Sequence, residues 1–163
     1  MMRRAHAVAV IVLVAALAAP ANAQPVHRLR TLFTGPARCL DVVNDGRNDR
    51  LTMAPCGVFS GQFWTLEPSG VPGYLRLKNR FTGPDRCLDI VNDGRNDKLR
   101  MAPCGNFSGQ LWWSEPARRL GYVRLRASFT GSERCLDIVN DGRNDTLRMA
   151  PCGNYSGQLW SVR

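Results

Sequence analysis

The chain has 163 residues, a formal charge of +9, two histidines and six cysteines. That length suits one domain. A single histidine beyond the first 23 residues leaves general acid–base chemistry little to work with, and the basic balance favours anionic partners over cationic ones.

The opening stretch reads as a leader. Arg3 and Arg4 make a basic start, Ala7 to Ala19 is apolar throughout, and Pro20 breaks the run ahead of Ala21-Asn22-Ala23. This pattern predicts a signal peptide over 1–23, cleaved before Gln24, and a product that is secreted or periplasmic. An anchor reading fares worse, because the run has about 13 residues where a spanning helix needs roughly 20. Loss of Arg3 and Arg4 takes the formal charge from +9 to +7. Export also predicts that the six cysteines form disulfides.

From Val26 onward the chain repeats every 48 residues, in register to its end. Phe33-Thr34-Gly35 returns as Phe81-Thr82-Gly83 and Phe129-Thr130-Gly131. Arg28-Leu29 returns as Arg76-Leu77 and Arg124-Leu125, and Trp64 as Trp112 and Trp160. Three copies are few for an open solenoid, which needs capping ends, so three equal units closed around an axis are expected. The repeats run approximately 26–73, 74–121 and 122–163.

Each repeat offers about four short strands. Tyr122-Val123-Arg124-Leu125-Arg126, Cys135-Leu136-Asp137-Ile138 and Thr146-Leu147-Arg148-Met149-Ala150 alternate with period two, the mark of half-buried strands. Asn140-Asp141-Gly142, Ala150-Pro151 and Ser156-Gly157 are turn chemistry. An all-β fold of about twelve antiparallel strands follows. One disulfide scheme treats every repeat alike and stays local: Cys39–Cys56, Cys87–Cys104 and Cys135–Cys152. Each closes a loop of about 17 residues, contributing on the order of 3 kcal/mol. The expected core is Leu40, Val42, Leu51, Met53 and Trp64 with their equivalents in the other repeats, plus Leu29, Leu77 and Leu125.

Cys39-Leu40-Asp41-Val42 followed by Gln62-Phe63-Trp64 resembles the repeat of ricin-B-like lectins. So do Cys87-Leu88-Asp89-Ile90 with Gln110-Leu111-Trp112, and Cys135-Leu136-Asp137-Ile138 with Gln158-Leu159-Trp160. The resemblance covers nearly all of 24–163 and implies a β-trefoil with up to three sugar pockets. It places Asp41, Asp89 and Asp137 as acceptors of two adjacent sugar hydroxyls, a task suited to the two oxygens of a carboxylate. It gives Gln62, Gln110 and Gln158 a supporting role and makes the tryptophans core residues.

The repeats also depart from that family's pattern. Ala54, Ala102 and Ala150 stand where a stacking aromatic is usual. Thr52, Arg100 and Arg148 stand at an amide position, as do Gly61, Gly109 and Gly157. Phe59, Phe107 and Tyr155 are the candidate replacement platforms, the alternative being packing under a loop. Asn44, Asn92 and Asn140 begin an Asn-Asp-Gly-Arg-Asn-Asp stretch that reads either as a tight turn or as a polar ligand rim. Arg47, Arg95 and Arg143 are available there for anionic groups. Calcium is a weaker option for this stretch, since no bidentate Glu closes an EF-hand loop. No cofactor is expected.

The expected partners are glycans or glycoconjugates, with anionic ones favoured by charge; nucleic acid and a membrane span are not expected. The rival reading is a trefoil that has lost sugar binding and serves as a protein-interaction or inhibitor module for a separate secreted protein. An enzyme is not expected. With the cysteines assigned to disulfides no thiol nucleophile remains, and a glycosidase needs two carboxylates across a cleft.

Overall fold

The computed structural model describes residues 24–163; the expected signal peptide lies outside the described residues. Thirteen short strands follow one another, all paired antiparallel. They are β1 (Val26–His27), β2 (Leu29–Thr31), β3 (Arg38–Val42), β4 (Leu51–Pro55), β5 (Trp64–Pro68), β6 (Leu75–Asn79) and β7 (Gly83–Ile90). Then come β8 (Leu99–Pro103), β9 (Trp112–Pro116), β10 (Val123–Ala127), β11 (Arg134–Ile138), β12 (Leu147–Pro151) and β13 (Trp160–Val162). The count exceeds the expected twelve because the first strand is divided at Arg28. Its first piece pairs with β5 and its second with β13. At the break, the Arg163 N–H donates to Arg28 O.

That division closes the ring. Neighbours run β1–β5–β6–β9–β10–β13–β2, so both ends of the path belong to one interrupted strand. Closure leaves this ring no free edge, which removes the hazard an open sheet carries. The hairpins β3–β4, β7–β8 and β11–β12 form the second layer. The architecture is a β-trefoil.

The alternation seen in the sequence explains which side chains turn inward. Leu40 faces Met53 across the first hairpin, Leu88 faces Met101 across the second, and Leu136 faces Met149 across the third. These six, with Leu29, Leu77, Leu125 and the three tryptophans, are fully buried or nearly so. Each Trp Nε1–H donates to a backbone carbonyl one hairpin away: Leu40 O at 3.0 Å, Leu88 O at 2.9 Å and Leu136 O at 2.9 Å. A buried indole thus carries no orphan donor. Leu99 alone among the expected core residues is only partly buried. Position 79 and its equivalents hold a polar surprise: Thr31 and Asn79 are buried where the third repeat has Ala127. Asn79 is satisfied, because its Nδ2 donates to Gly61 O at 2.8 Å and its Oδ1 accepts from Phe81 N–H.

The repeats clasp one another in a circle. Met53 N–H donates to Asp145 O at 2.9 Å, Met101 N–H to Asp49 O at 2.8 Å, and Met149 N–H to Asp97 O at 2.8 Å. Each Asn-Asp-Gly-Arg-Asn-Asp loop therefore ends on a strand of the following repeat. The three disulfides pair as expected, one per repeat, and no cysteine is free among the described residues. No helix among these residues is long and apolar enough to cross a membrane.

Candidate functional site

Three equivalent depressions lie beside the Asp of each Cys-Leu-Asp segment. The first is lined by Asp41, Asn44, Thr52, Phe59 and Phe81. The second takes Asp89, Asn92, Arg100, Phe107 and Phe129. The third takes Asp137, Asn140, Arg148, Tyr155 and Phe33. They enclose about 340, 620 and 590 Å³ respectively.

The carboxylates are held by local geometry. Asp89 and Asp137 are 7% and 6% exposed. The Oδ1 of each accepts from the next residue's N–H: Ile90 at 2.9 Å and Ile138 at 2.8 Å. Gln158 Nε2 donates to Asp137 Oδ2 at 3.2 Å, and Gln62 Nε2 to Asp41 Oδ2 at 2.9 Å. An ionised carboxylate offers about four acceptor sites, so acceptor capacity remains on each oxygen.

The glutamines are fully buried. Each Oε1 accepts from a glycine N–H (Gly57, Gly105, Gly153), and each Nε2 donates to a proline carbonyl (Pro55, Pro103, Pro151). Gln110 reaches a pocket wall, while Gln62 and Gln158 do not. Gln62 and Gln158 thus join the aspartate to the loop that follows the second cysteine, while Gln110 is bonded to that loop alone.

The glycines before these glutamines have a steric reason. A Cβ at Gly61 would overlap Asp41 Oδ1 and stand 2.9 Å from Val42 O; Gly109 and Gly157 meet Asp89 Oδ1 and Asp137 Oδ1 in the same way. An amide side chain at that position would displace the carboxylate.

The candidate aromatics are not packed under a loop. Phe59, Phe107 and Tyr155 are 62%, 61% and 64% exposed. Each ring lies over the glycine two residues before it, where a Cβ would come within 2.5 Å of the ring. An exposed aromatic thus borders each pocket in place of the alanine position, and Ala102 and Ala150 form part of the pocket lining instead.

A second aromatic at each pocket comes from the next repeat and was not foreseen from the sequence. Phe129 N–H donates to Ser108 O and Phe33 N–H to Ser156 O, both at 3.2 Å, tying that phenylalanine to the short 3₁₀ turn of the pocket. Phe33 serves the third pocket, so the circular closure of the fold completes the site.

The Asn-Asp-Gly-Arg-Asn-Asp stretch is a tight turn whose first Asn borders the pocket. Gly46, Gly94 and Gly142 have φ of 83°, 83° and 84°, and Asn48, Asn96 and Asn144 have φ of 54–55°. Those values suit Gly and Asn. Asp45, Asp93 and Asp141 close the turn by accepting backbone N–H groups, from Asn48 at 3.0 Å, Asn96 at 3.0 Å and Asn144 at 2.9 Å. These bonds are the main reason the three carboxyl groups titrate below the usual 3.8. The carboxylates are thereby engaged within the turn, and no group of three or more His, Cys, Asp or Glu converges among the described residues. Arg47, Arg95 and Arg143 point to solvent, at 3.4–3.9 Å from Asp49, Asp97 and Asp145. They line none of the three pockets.

Residues 26–121 match the family described as the ricin-type beta-trefoil lectin domain. Among solved structures, the chain is similar to ThreeFoil, a designed three-fold symmetric protein (TM-score 0.71, 22% identity, 84% of this chain and 96% of that one). It is similar to the Macrolepiota procera ricin B-like lectin, solved in complex with lactose (0.70, 15%, 88% and 98%). A third likeness is to the GlcNAcα1-4Gal-releasing endo-β-galactosidase of Clostridium perfringens (0.67, 18%, 84% of this chain). The chain spans only 31% of that enzyme. At such identities these likenesses concern the fold. No curated protein sequence matches the chain significantly.

Proposed function

We propose that this chain, which belongs to the ricin-type β-trefoil lectin domain family, is an exported carbohydrate-binding module with three weak pockets. The carrying observation is the threefold recurrence of one constellation. Each pocket sets a carboxylate with free acceptor capacity beside an exposed aromatic ring, with an asparagine at the rim. The carboxylate suits a pair of vicinal hydroxyls, and the ring suits the apolar face of a sugar. In this reading Asp41, Asp89 and Asp137 accept the hydroxyls. Phe59, Phe107 and Tyr155 stack, Asn44, Asn92 and Asn140 add rim contacts, Gln62 and Gln158 hold their aspartates, and Gln110 braces the loop beside the second pocket. Shallow sites bind weakly one at a time, and three on one rigid body gain by avidity on a glycan-coated surface. Binding rather than catalysis is favoured because each pocket lining holds one carboxylate, where glycoside hydrolysis uses a pair.

The alternative, a trefoil that binds protein instead of sugar, draws on Ala54, Ala102 and Ala150 at the usual stacking position. A glycan array of residues 24–163, with and without calcium, separates the two. Binding to a defined glycan class that a folded Asp41/Asp89/Asp137→Ala variant loses is the expected result. A well-folded domain that binds no glycan in either condition overturns the lectin reading and leaves the protein-binding one.

A further inference from the structure

We infer that the second and third pockets are built for an acidic sugar, bearing a carboxylate or a sulfate ester, and that the first pocket takes only neutral sugar. The inference rests on the lectin reading and adds the ligand class. The repeats are nearly alike, yet, besides the apolar exchange of Val42 for Ile90 and Ile138, the first differs from the other two at two positions around the pocket. Where the second and third carry Arg100 and Arg148, the first has Thr52. Where they carry Asn106 and Asn154, the first has Val58.

Both changes concern hydrogen-bond donors. Arg100 and Arg148 sit across the hairpin from Asp89 and Asp137, as Thr52 does from Asp41. Their guanidinium groups make no hydrogen bond or ion pair among the described residues, whereas Arg76, Arg86 and Arg124 nearby are committed to backbone carbonyls. Asn106 is oriented by Arg76, whose Nη2 donates to Asn106 Oδ1 at 3.2 Å; Arg124 holds Asn154 likewise at 3.3 Å. With the amide oxygen occupied by an arginine, the Nδ2 protons remain for a ligand. Each of these two pockets therefore offers a carboxylate for hydroxyls, and separately a guanidinium and an amide that only donate. A ligand satisfying both halves has adjacent hydroxyls on one side and an anionic group on the other. Arg matches planar carboxylate and sulfate oxygens with two parallel N–H bonds. In the first pocket an anion would meet Asp41 with no cation in the lining, and like charges exclude it.

The test reads each pocket separately through the amide resonances of Gly61, Gly109 and Gly157 in residues 24–163. The probes are galactose with galacturonate, glucose with glucuronate, and the corresponding sugar sulfates, at low salt. An acidic member is expected to move Gly109 and Gly157 with at least about tenfold tighter affinity than its neutral partner, the scale of one added charge-assisted hydrogen bond. Gly61 is expected to respond to the neutral member alone. Arg100→Thr/Arg148→Thr should remove the preference and keep neutral binding; Thr52→Arg/Val58→Asn should confer it on the first pocket. Carboxylate and sulfate arms tell which anion is read. Equal affinity for acidic and neutral members, or an unchanged preference in Arg100→Thr/Arg148→Thr, overturns the inference and leaves the lectin reading standing. No response of any of the three glycines to any sugar removes both.

Discussion

Replacing Gln158 by leucine tests the connection between the buried glutamine and the carboxylate of the third pocket. The side chain is fully buried and makes three bonds: from Gly153 N–H at 2.9 Å, to Pro151 O at 2.9 Å and to Asp137 Oδ2 at 3.2 Å. Leucine keeps similar bulk and makes none of them. A buried group left without its partner costs about 1–3 kcal/mol, so the two backbone groups alone predict about 2–6 kcal/mol. The carboxylate bond adds roughly 1 kcal/mol more, since Asp137 retains Ile138 N–H as a donor. Gln110→Leu is the internal control, because Gln110 makes the two backbone bonds without the carboxylate bond. Urea unfolding followed by tryptophan fluorescence reads both variants, with an unchanged slope expected. The predicted order is wild type, then Gln110→Leu, then Gln158→Leu. A loss below about 1 kcal/mol in both would refute the reasoning, since it would mean that these buried bonds add nothing net.

Other perturbations follow from the same geometry. Gly109→Ala should silence the second pocket alone, because its Cβ meets Asp89 Oδ1, at a cost of about 1–3 kcal/mol; a retained ligand response of the residue 109 amide would argue otherwise. Asp93 titrates below its ordinary 3.8 chiefly because Asn96 N–H bonds to it. Its contribution to the turn is therefore present above pH 3.8 and is lost as pH falls through the lower folded value. A carboxyl-carbon titration should find a midpoint below 3.8, and one at or above 3.8 would contradict the turn geometry. Cys135→Ser/Cys152→Ser opens a 17-residue loop and should lower stability by about 3 kcal/mol in the same urea assay.

Much of this molecule is legible in one dimension because it is said three times. The period pairs Cys39 with Cys56 and marks Leu40, Met53 and Trp64 as core, while the facing of Leu40 and Met53 appears only in the folded hairpin. Period two then assigns the faces. What escapes the sequence is what depends on closure. Phe33, Phe81 and Phe129 are visible as recurring residues, but only the ring tells that each serves the pocket of the repeat before it. The division of the first strand at Arg28 likewise follows from its pairing with two different neighbours. Gly61 reads as a missing amide until its contact with Asp41 is seen. Phe59 could equally have packed under its loop, and its ring is turned outward because Gly57 gives it a flat seat. Arg47 looks like a ligand contact in sequence, yet the turn aims it at solvent while Arg100 and Arg148, on the strand, border the pockets.

The most direct test of the central claim is a crystal structure of residues 24–163 soaked with a disaccharide that the glycan array identifies. The account predicts sugar density against the carboxylate of Asp41, Asp89 or Asp137, with a ring face on Phe59, Phe107 or Tyr155. Density elsewhere, for instance against the edge-to-face pair Tyr74 and Trp113, with the three aspartate pockets empty, would contradict it.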